Sequence, residues 1–233
     1  GQAIFQQTSG NLTLTGSVFA DDLDMDVLAG NLAQEQAAAM TITNGFDLTA
    51  SGSMALSSIT SQEGDISITA GGALTDASPT RETSVITTSA TDATVTIQAS
   101  QIGSATEIGE VEIKSSHVNS LTATAGGIFV ELKKGGDLGA TTATGDIEIT
   151  QTLGSLTLTD AVTSSAGSVE FTTVGGLTMG ALSSITARDG AVLDAQGGDL
   201  KLTSVTVTGL GPDTAVSSLS ASGDILDVMP WVD

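Results

Sequence analysis

The chain has no cysteine and no tyrosine, and in 233 residues it has one tryptophan, one histidine, three prolines and six basic side chains. Without cysteine no disulfide can staple the fold, so stability has to come from burial and backbone hydrogen bonds. Aromatic residues make up 3% of the chain, too few to supply the large rings that fill an ordinary compact core. The interior must therefore be thin. The six cations, Arg81, Lys114, Lys133, Lys134, Arg188 and Lys201, are scattered apart from one pair and face 27 acids, for a net charge of -21. Nucleic acid and anionic membranes are bound by clustered Lys and Arg, so neither is expected as a partner. No apolar run approaches the length of a membrane span, and no basic segment leads into an apolar one as in a secretory signal. An exported form is expected to carry its signal upstream.

Disorder is excluded by what is present. Only 14% of residues are charged, 39% are hydrophobic, and the mean hydropathy is positive. The apolar residues are small or β-branched and recur in a pattern. The unit is Gly, then Asp or a small polar residue, then apolar, polar, apolar. It reads Gly10-Asn-Leu-Thr-Leu14, Gly64-Asp-Ile-Ser-Ile68, Gly145-Asp-Ile-Glu-Ile149, Gly154-Ser-Leu-Thr-Leu158, Gly167-Ser-Val-Glu-Phe171 and Gly198-Asp-Leu-Lys-Leu202. Each copy is a turn followed by a half-buried strand of period two, too short for a helix.

A longer period runs beneath this one. Ile147, Val169 and Ala191 fall 22 residues apart, as do Ile149, Phe171 and Leu193, while Leu156, Leu177 and Leu200 track them. Three short strands and three turns per 22 residues leave no room for a crossover helix. Repeated units that cannot bury their apolar face alone form a solenoid when stacked. The expected fold is all-β, a single-stranded parallel β-helix (β-solenoid) with about 22 residues per coil and about ten coils, a rod roughly 50 Å long at the spacing of adjacent strands. A β-sandwich also has short alternating strands, but it does not require inward residues in fixed columns. The outward register Asp146, Ser168, Gly190 leads to the expectation that acids are not stacked on consecutive coils, where they would repel.

One domain, 1–233, is expected, with departures at three places. Residues 31–40 have helix propensity, and 17–44 reads as an irregular or helical cap. The run 75–93, with Pro79, Arg81 and Glu82, reads as an irregular loop leaving one corner. Met229-Pro-Trp-Val-Asp233 reads as a tail that caps the last coil or docks on another subunit.

The repeats ending at Ile149 and Leu158 resemble the shaft of filamentous-haemagglutinin-like adhesins, the large bacterial exoproteins exported by two-partner secretion or as autotransporters. The resemblance spans residues 45–228. It implies a right-handed coil, export to the bacterial cell surface, and a role in adhesion, biofilm or surface structure. The chain departs from that family in having no Asn-Pro-Asn-Gly secretion motif near its N-terminus, which points to a shaft segment or separate repeat subunit.

Few residues suggest chemistry. Asp21, Asp22, Asp24 and Asp26 are the densest acidic cluster, and alternation puts Asp22, Asp24 and Asp26 on one face of a strand. A solvated acidic edge that blocks strand pairing and a weak calcium site are the two readings. No Lys or Arg lies near the cluster in sequence, as acid–base catalysis on a β-helix would want. His117 stands alone, so no His-based triad or transition-metal site can form, and it is expected to face outward on a strand from Glu110 to Val118. The pairs Gly71-Gly72, Gly126-Gly127 and Gly175-Gly176 are corners, since no Lys-Ser or Lys-Thr follows. Thr-X-Thr pairs begin at Thr13, Thr41, Thr94, Thr122, Thr157 and Thr206; their gaps of 28, 53, 28, 35 and 49 residues are not multiples of a coil, which speaks against a threonine lattice of the ice-binding kind. The expected function is non-enzymatic and without cofactor: an extracellular structural or adhesive solenoid associating head to tail. The alternative is an adhesin module binding glycan or host protein through its loops.

Overall fold

The structure, a computed structural model, describes residues 1–77, 86–106, 109–209 and 217–227. These residues form 27 β-strands and no helix, arranged as a parallel β-solenoid of about ten coils of about 22 residues. In the C-terminal half each strand pairs with the third strand along. Ile147–Gln151 pairs with Ser168–Thr173 and that with Gly190–Ala195, while Leu156–Leu158 pairs with Leu177–Met179 and that with Leu200–Leu202. Val162–Ser164, Ile185–Ala187 and Val205–Val207 make the third side.

The columns expected from the 22-residue period are present: Ile149 lies beside Phe171 and Phe171 beside Leu193. One inward column runs through nearly the whole described rod, from Phe5 through Met25, Leu48, Ile68, Ile97 and Leu121 to Thr141, Val162, Ile185 and Val205. Strand alternation turns every second residue inward, and stacking makes each such residue the neighbour of its counterpart a coil away. Aliphatic side chains suffice to fill so narrow an interior.

The Gly-Asp corner has a second role that is invisible in a single repeat. The Asp146 Oδ1 accepts hydrogen bonds from the Ser168 backbone N–H and hydroxyl, both at 2.8 Å. Asp65 does the same for Thr94, at 2.7 and 2.9 Å, and Asn31 Oδ1 accepts from the Ser53 N–H at 2.8 Å. The small polar residue after glycine thus caps an exposed N–H of the next coil. Glycine precedes it because the chain passes so close to the coil below: a Cβ on Gly64 would lie 1.2 Å from the Asn44 carbonyl oxygen, and Gly154 holds a φ of 84°.

The N-terminal segment is regular, not a cap. Residues 17–44 contain the strands Val18–Val27 and Leu32–Gln34 and the start of Met40–Ala50. No helix forms at 31–40, because Leu32, Gln34, Ala38 and Met40 are buried in the coil and tertiary packing overrides an alanine-rich local preference. Strands Gln2–Gln7 and Leu12–Leu14 stack on this coil from outside, so the solenoid begins before residue 17. The expected loop 75–93 is also narrower. Ala73–Asp76 and Ile86–Thr88 are coil strands and Ala93 is buried, while 78–85, with Pro79, Arg81 and Glu82, lie outside the described residues, as does the tail 228–233. Asp65 and Thr94 are neighbours although 29 residues apart, so this coil is longer than the 22-residue period.

Acids do stack on consecutive coils, contrary to expectation: Asp24 beside Asp47, Glu112 beside Glu131 and Glu148 beside Glu170. Asp146 was a misleading guide because it belongs to the corner, where it is spent on capping. Glu170 is exposed, so water and salt screen its partner. Burial, with Glu170 and Asp146 adding to it, holds the half-buried Glu148 carboxyl above its ordinary range.

Truncating Phe171, fully buried, to alanine is expected to cost about 3–5 kcal/mol, and Asp146→Ala about 1–3 kcal/mol. Thr178→Ala on the outer surface should stay within about 0.5 kcal/mol. Urea midpoints of the three variants check the ranking.

Candidate functional site

Asp22, Asp24 and Asp26 share one outward face as strand alternation predicts, but they do not form an edge that blocks pairing: Val18–Val27 pairs with Gln2–Gln7 on one side and with Met40–Ala50 on the other. Asp22, Asp24 and Asp26 are half-buried on the outer side of Val18–Val27, while Leu23, Met25 and Val27 are fully inside. Successive carboxylates on that strand are two residues apart, roughly 6.6 Å along a parallel strand; Asp47 on the neighbouring coil lies beside Asp24. Asn44 Nδ2 donates to Asp22 Oδ2 at 3.4 Å. Among the described residues no group of three or more acidic or histidine side chains is arranged to hold a metal ion.

A tighter cluster lies where no motif marks it. Strand Val111–Lys114 pairs with Ile128–Leu132, placing Glu112 beside Glu131. The Lys133 Nζ stands 2.7 Å from Glu131 Oε1 and 3.1 Å from Glu112 Oε1. Both carboxylates occupy outward strand positions yet are nearly closed to solvent, with side chains 2% and 7% exposed against 23% for the lysine. Among the described residues Oε2 of each glutamate has no hydrogen-bond partner. Burial pushes the Glu112 carboxyl above its ordinary range against the pull of Lys133, with Glu131 and Asp76 adding to the rise. For Lys133 burial acts to lower the pKa, but the hydrogen bonds to Glu131 and Glu112 outweigh it and the ammonium is held above its usual value. The cluster is an internal ion triad: one cation shared by two stacked acids. Glu131-Leu-Lys133 was open to a reading by strand alternation; its pairing with Glu112 was not, because this coil is shorter than the 22-residue period.

His117 does not share a strand with Glu110. It opens the separate strand His117–Ala123, faces outward as expected, and lies beside Asp137 on the next coil, with Nε2 3.4 Å from Asp137 Oδ2. The shallow groove there, about 150 Å³, is lined by Thr94, His117, Asn119, Asp137 and Thr159 among others. Thr94, the neighbour of His117 on the preceding coil, donates its hydroxyl to Asp65 Oδ1 at 2.9 Å.

The outward threonines behave differently from what the gaps between Thr-X-Thr pairs implied. Thr122, Thr142, Thr163, Thr186 and Thr206 are successive neighbours on five consecutive coils. Counting the pairs as one series failed because it mixed sides of the rod, since Thr157 lies on the strand Leu156–Leu158 of another side. It also left out the pairs Thr142/Thr144 and Thr150/Thr152, and Thr163 and Thr186, which belong to no such pair.

The chain matches no known family, no curated protein and no solved structure.

Replacing Lys133 by methionine leaves two buried acids unpaired and is expected to cost about 3 kcal/mol at neutral pH, and less in acid, where the carboxyls take up protons. Glu112 has the opposite sign from a salt-bridged surface acid. Its folded-state pKa is raised, so the folded chain binds more protons than the unfolded one once the pH exceeds the ordinary value of 4.5, and its contribution to stability declines as pH rises through that range. The stability of Glu112→Gln relative to the parent should therefore improve from acid to neutral pH, as read from urea midpoints across the range.

Proposed function

We propose that the chain is a shaft segment of a non-enzymatic, extracellular fibre on a bacterial surface, acting without cofactor, with copies associating head to tail. The observation that carries this reading is the parallel stack itself, in which every described coil offers the same strand direction on both of its faces. Among the described residues Gln2–Gln7 pairs only with Val18–Val27, and Ile225–Asp227 only with Leu200–Leu202. The inward Phe5 at one end and Leu219 and Ile225 at the other are 42%, 46% and 50% exposed, although the residues they stack on are buried. A parallel coil offers the same strand direction at both ends, so one end of a copy is complementary to the opposite end of the next, a heterologous contact that does not close and therefore extends.

Two further features favour a structural role over an enzymatic one. The described cluster that joins acids to a base, Glu112–Glu131–Lys133, is closed to solvent at both carboxylates. The grooves beside Phe19 and Gln62, beside Phe46 and Asp47, and beside His117 and Asp137 are open to solvent. Location outside the cell follows from the resemblance of the repeat to adhesin shafts.

Sedimentation and negative-stain electron microscopy of the purified chain test the proposal. The expected result is rods that lengthen with protein concentration, and shortening when Ile225→Lys places a charge on the open end. Isolated particles of one coil stack's length at every concentration would sink it.

A further inference from the structure

The side of the rod that carries Thr122, Thr142, Thr163, Thr186 and Thr206 differs from the rest of the molecule. In a chain of net charge -21 this ladder is uncharged. Toward the N-terminus the same column continues as Gln98, Thr69 and Thr49, and the first acid met is Asp26 beside Thr49. The column on one flank is Ser67, Thr96, Ser120 and Ala140. Two residues beyond the ladder, on the other flank, stand the exposed Thr124, Thr144, Ser165, Arg188 and Thr208, so Arg188 is the single charge there. No register shift interrupts the ladder between Thr122 and Thr206.

These hydroxyls are not used by the fold. Thr124, Thr144 and Thr208 donate to backbone carbonyls of the preceding coil, whereas the five ladder hydroxyls make no hydrogen bond to described protein atoms. Each threonine is stiff about χ1 because it is β-branched, so methyl and hydroxyl repeat at fixed positions. The repeat is about 4.8 Å along the rod.

Such a surface suits few ligands. A protein interface draws its affinity from aromatic or arginine anchors in pockets, and an ionic partner needs charge; the ladder has neither. A column of short hydroxyls and methyls repeating once per coil is matched by a partner that is itself a lattice of hydrogen-bonding oxygens with a comparable repeat. Water held in such an array is already ordered before it joins a crystal, so the entropy cost of immobilising it at the interface is small. We propose that the Thr122–Thr206 face binds ice. The assignment is independent of end-to-end assembly, since the ladder lies along the side of the rod and stays open whether or not copies join.

The test uses the purified chain in an ice-recrystallisation assay and in partition into a slowly growing ice front. The variants are Thr142→Tyr and Thr206→Lys on the ladder, with Thr157→Tyr, on another side of the rod beside Asp137 and Thr178, as the control. Melting followed by circular dichroism shows which variants keep the fold, and either ladder substitution alone suffices. The expected result is inhibition of recrystallisation and enrichment in ice for the parent and for Thr157→Tyr, both lost in the ladder variants. Exclusion of the parent chain from ice, undiminished activity in a folded ladder variant, or retention on crystalline cellulose without any effect on ice would each overturn the assignment.

Discussion

Stacking of one coil on the next by parallel backbone hydrogen bonds, in a register that keeps like positions together, underlies every other feature of this protein. It turns a repeat of aliphatic residues into continuous inward columns such as Phe5 to Val205. It allows a core almost without aromatic rings, because the interior is only as wide as the side chains facing one another across a coil. The same register acts on the outside of the rod, where it brings together whatever residues happen to share a position, whether threonines, acids or an acid and a lysine.

The heavy negative charge is accommodated in three physically distinct ways. Asp65 and Asp146 are absorbed by the backbone, each accepting two hydrogen bonds from the coil above. Glu170 sits in solvent, where repulsion is screened. Glu112 and Glu131 are stacked where little solvent reaches, and the single Lys133 ammonium is shared between them at hydrogen-bond distance. A buried arrangement of this kind is not a source of great stability in itself, since desolvation offsets much of the attraction. Its consequence is that neither acid can be left alone.

The faces of the rod are chemically unequal although the repeat that builds them is uniform. The side at Asp22, Asp24 and Asp47 concentrates charge, the edge at His117 and Asp137 carries a small groove, and the side at Thr122–Thr206 is an uncharged hydroxyl array. The end coils are different again, with inward apolar residues half open to water. The proposed association along the axis and the proposed binding of ice along the side therefore draw on separate surfaces.

Much of the fold could be read from the residues alone. Period-two alternation between glycines identifies short strands, and the recurrence of Ile149, Phe171 and Leu193 at one spacing identifies their stacking, because both patterns are imposed by burial, which acts on residue type directly. The outward placement of Asp22, Asp24 and Asp26 follows from the same alternation. Residues 31–40 misled because helix propensity is a local preference of a fraction of a kcal/mol per residue, smaller than what the buried Leu32 and Met40 gain from the coil. The Glu112–Glu131–Lys133 triad, the stacked acids and the threonine ladder could be assigned only once the strands were paired. Coil length varies as turns lengthen and detours intervene, and outward residues are under no packing constraint that would reveal their neighbours. Inward positions announce themselves through hydrophobicity, but which outward side chains meet is decided by register, a property of the assembled coils and of no single segment.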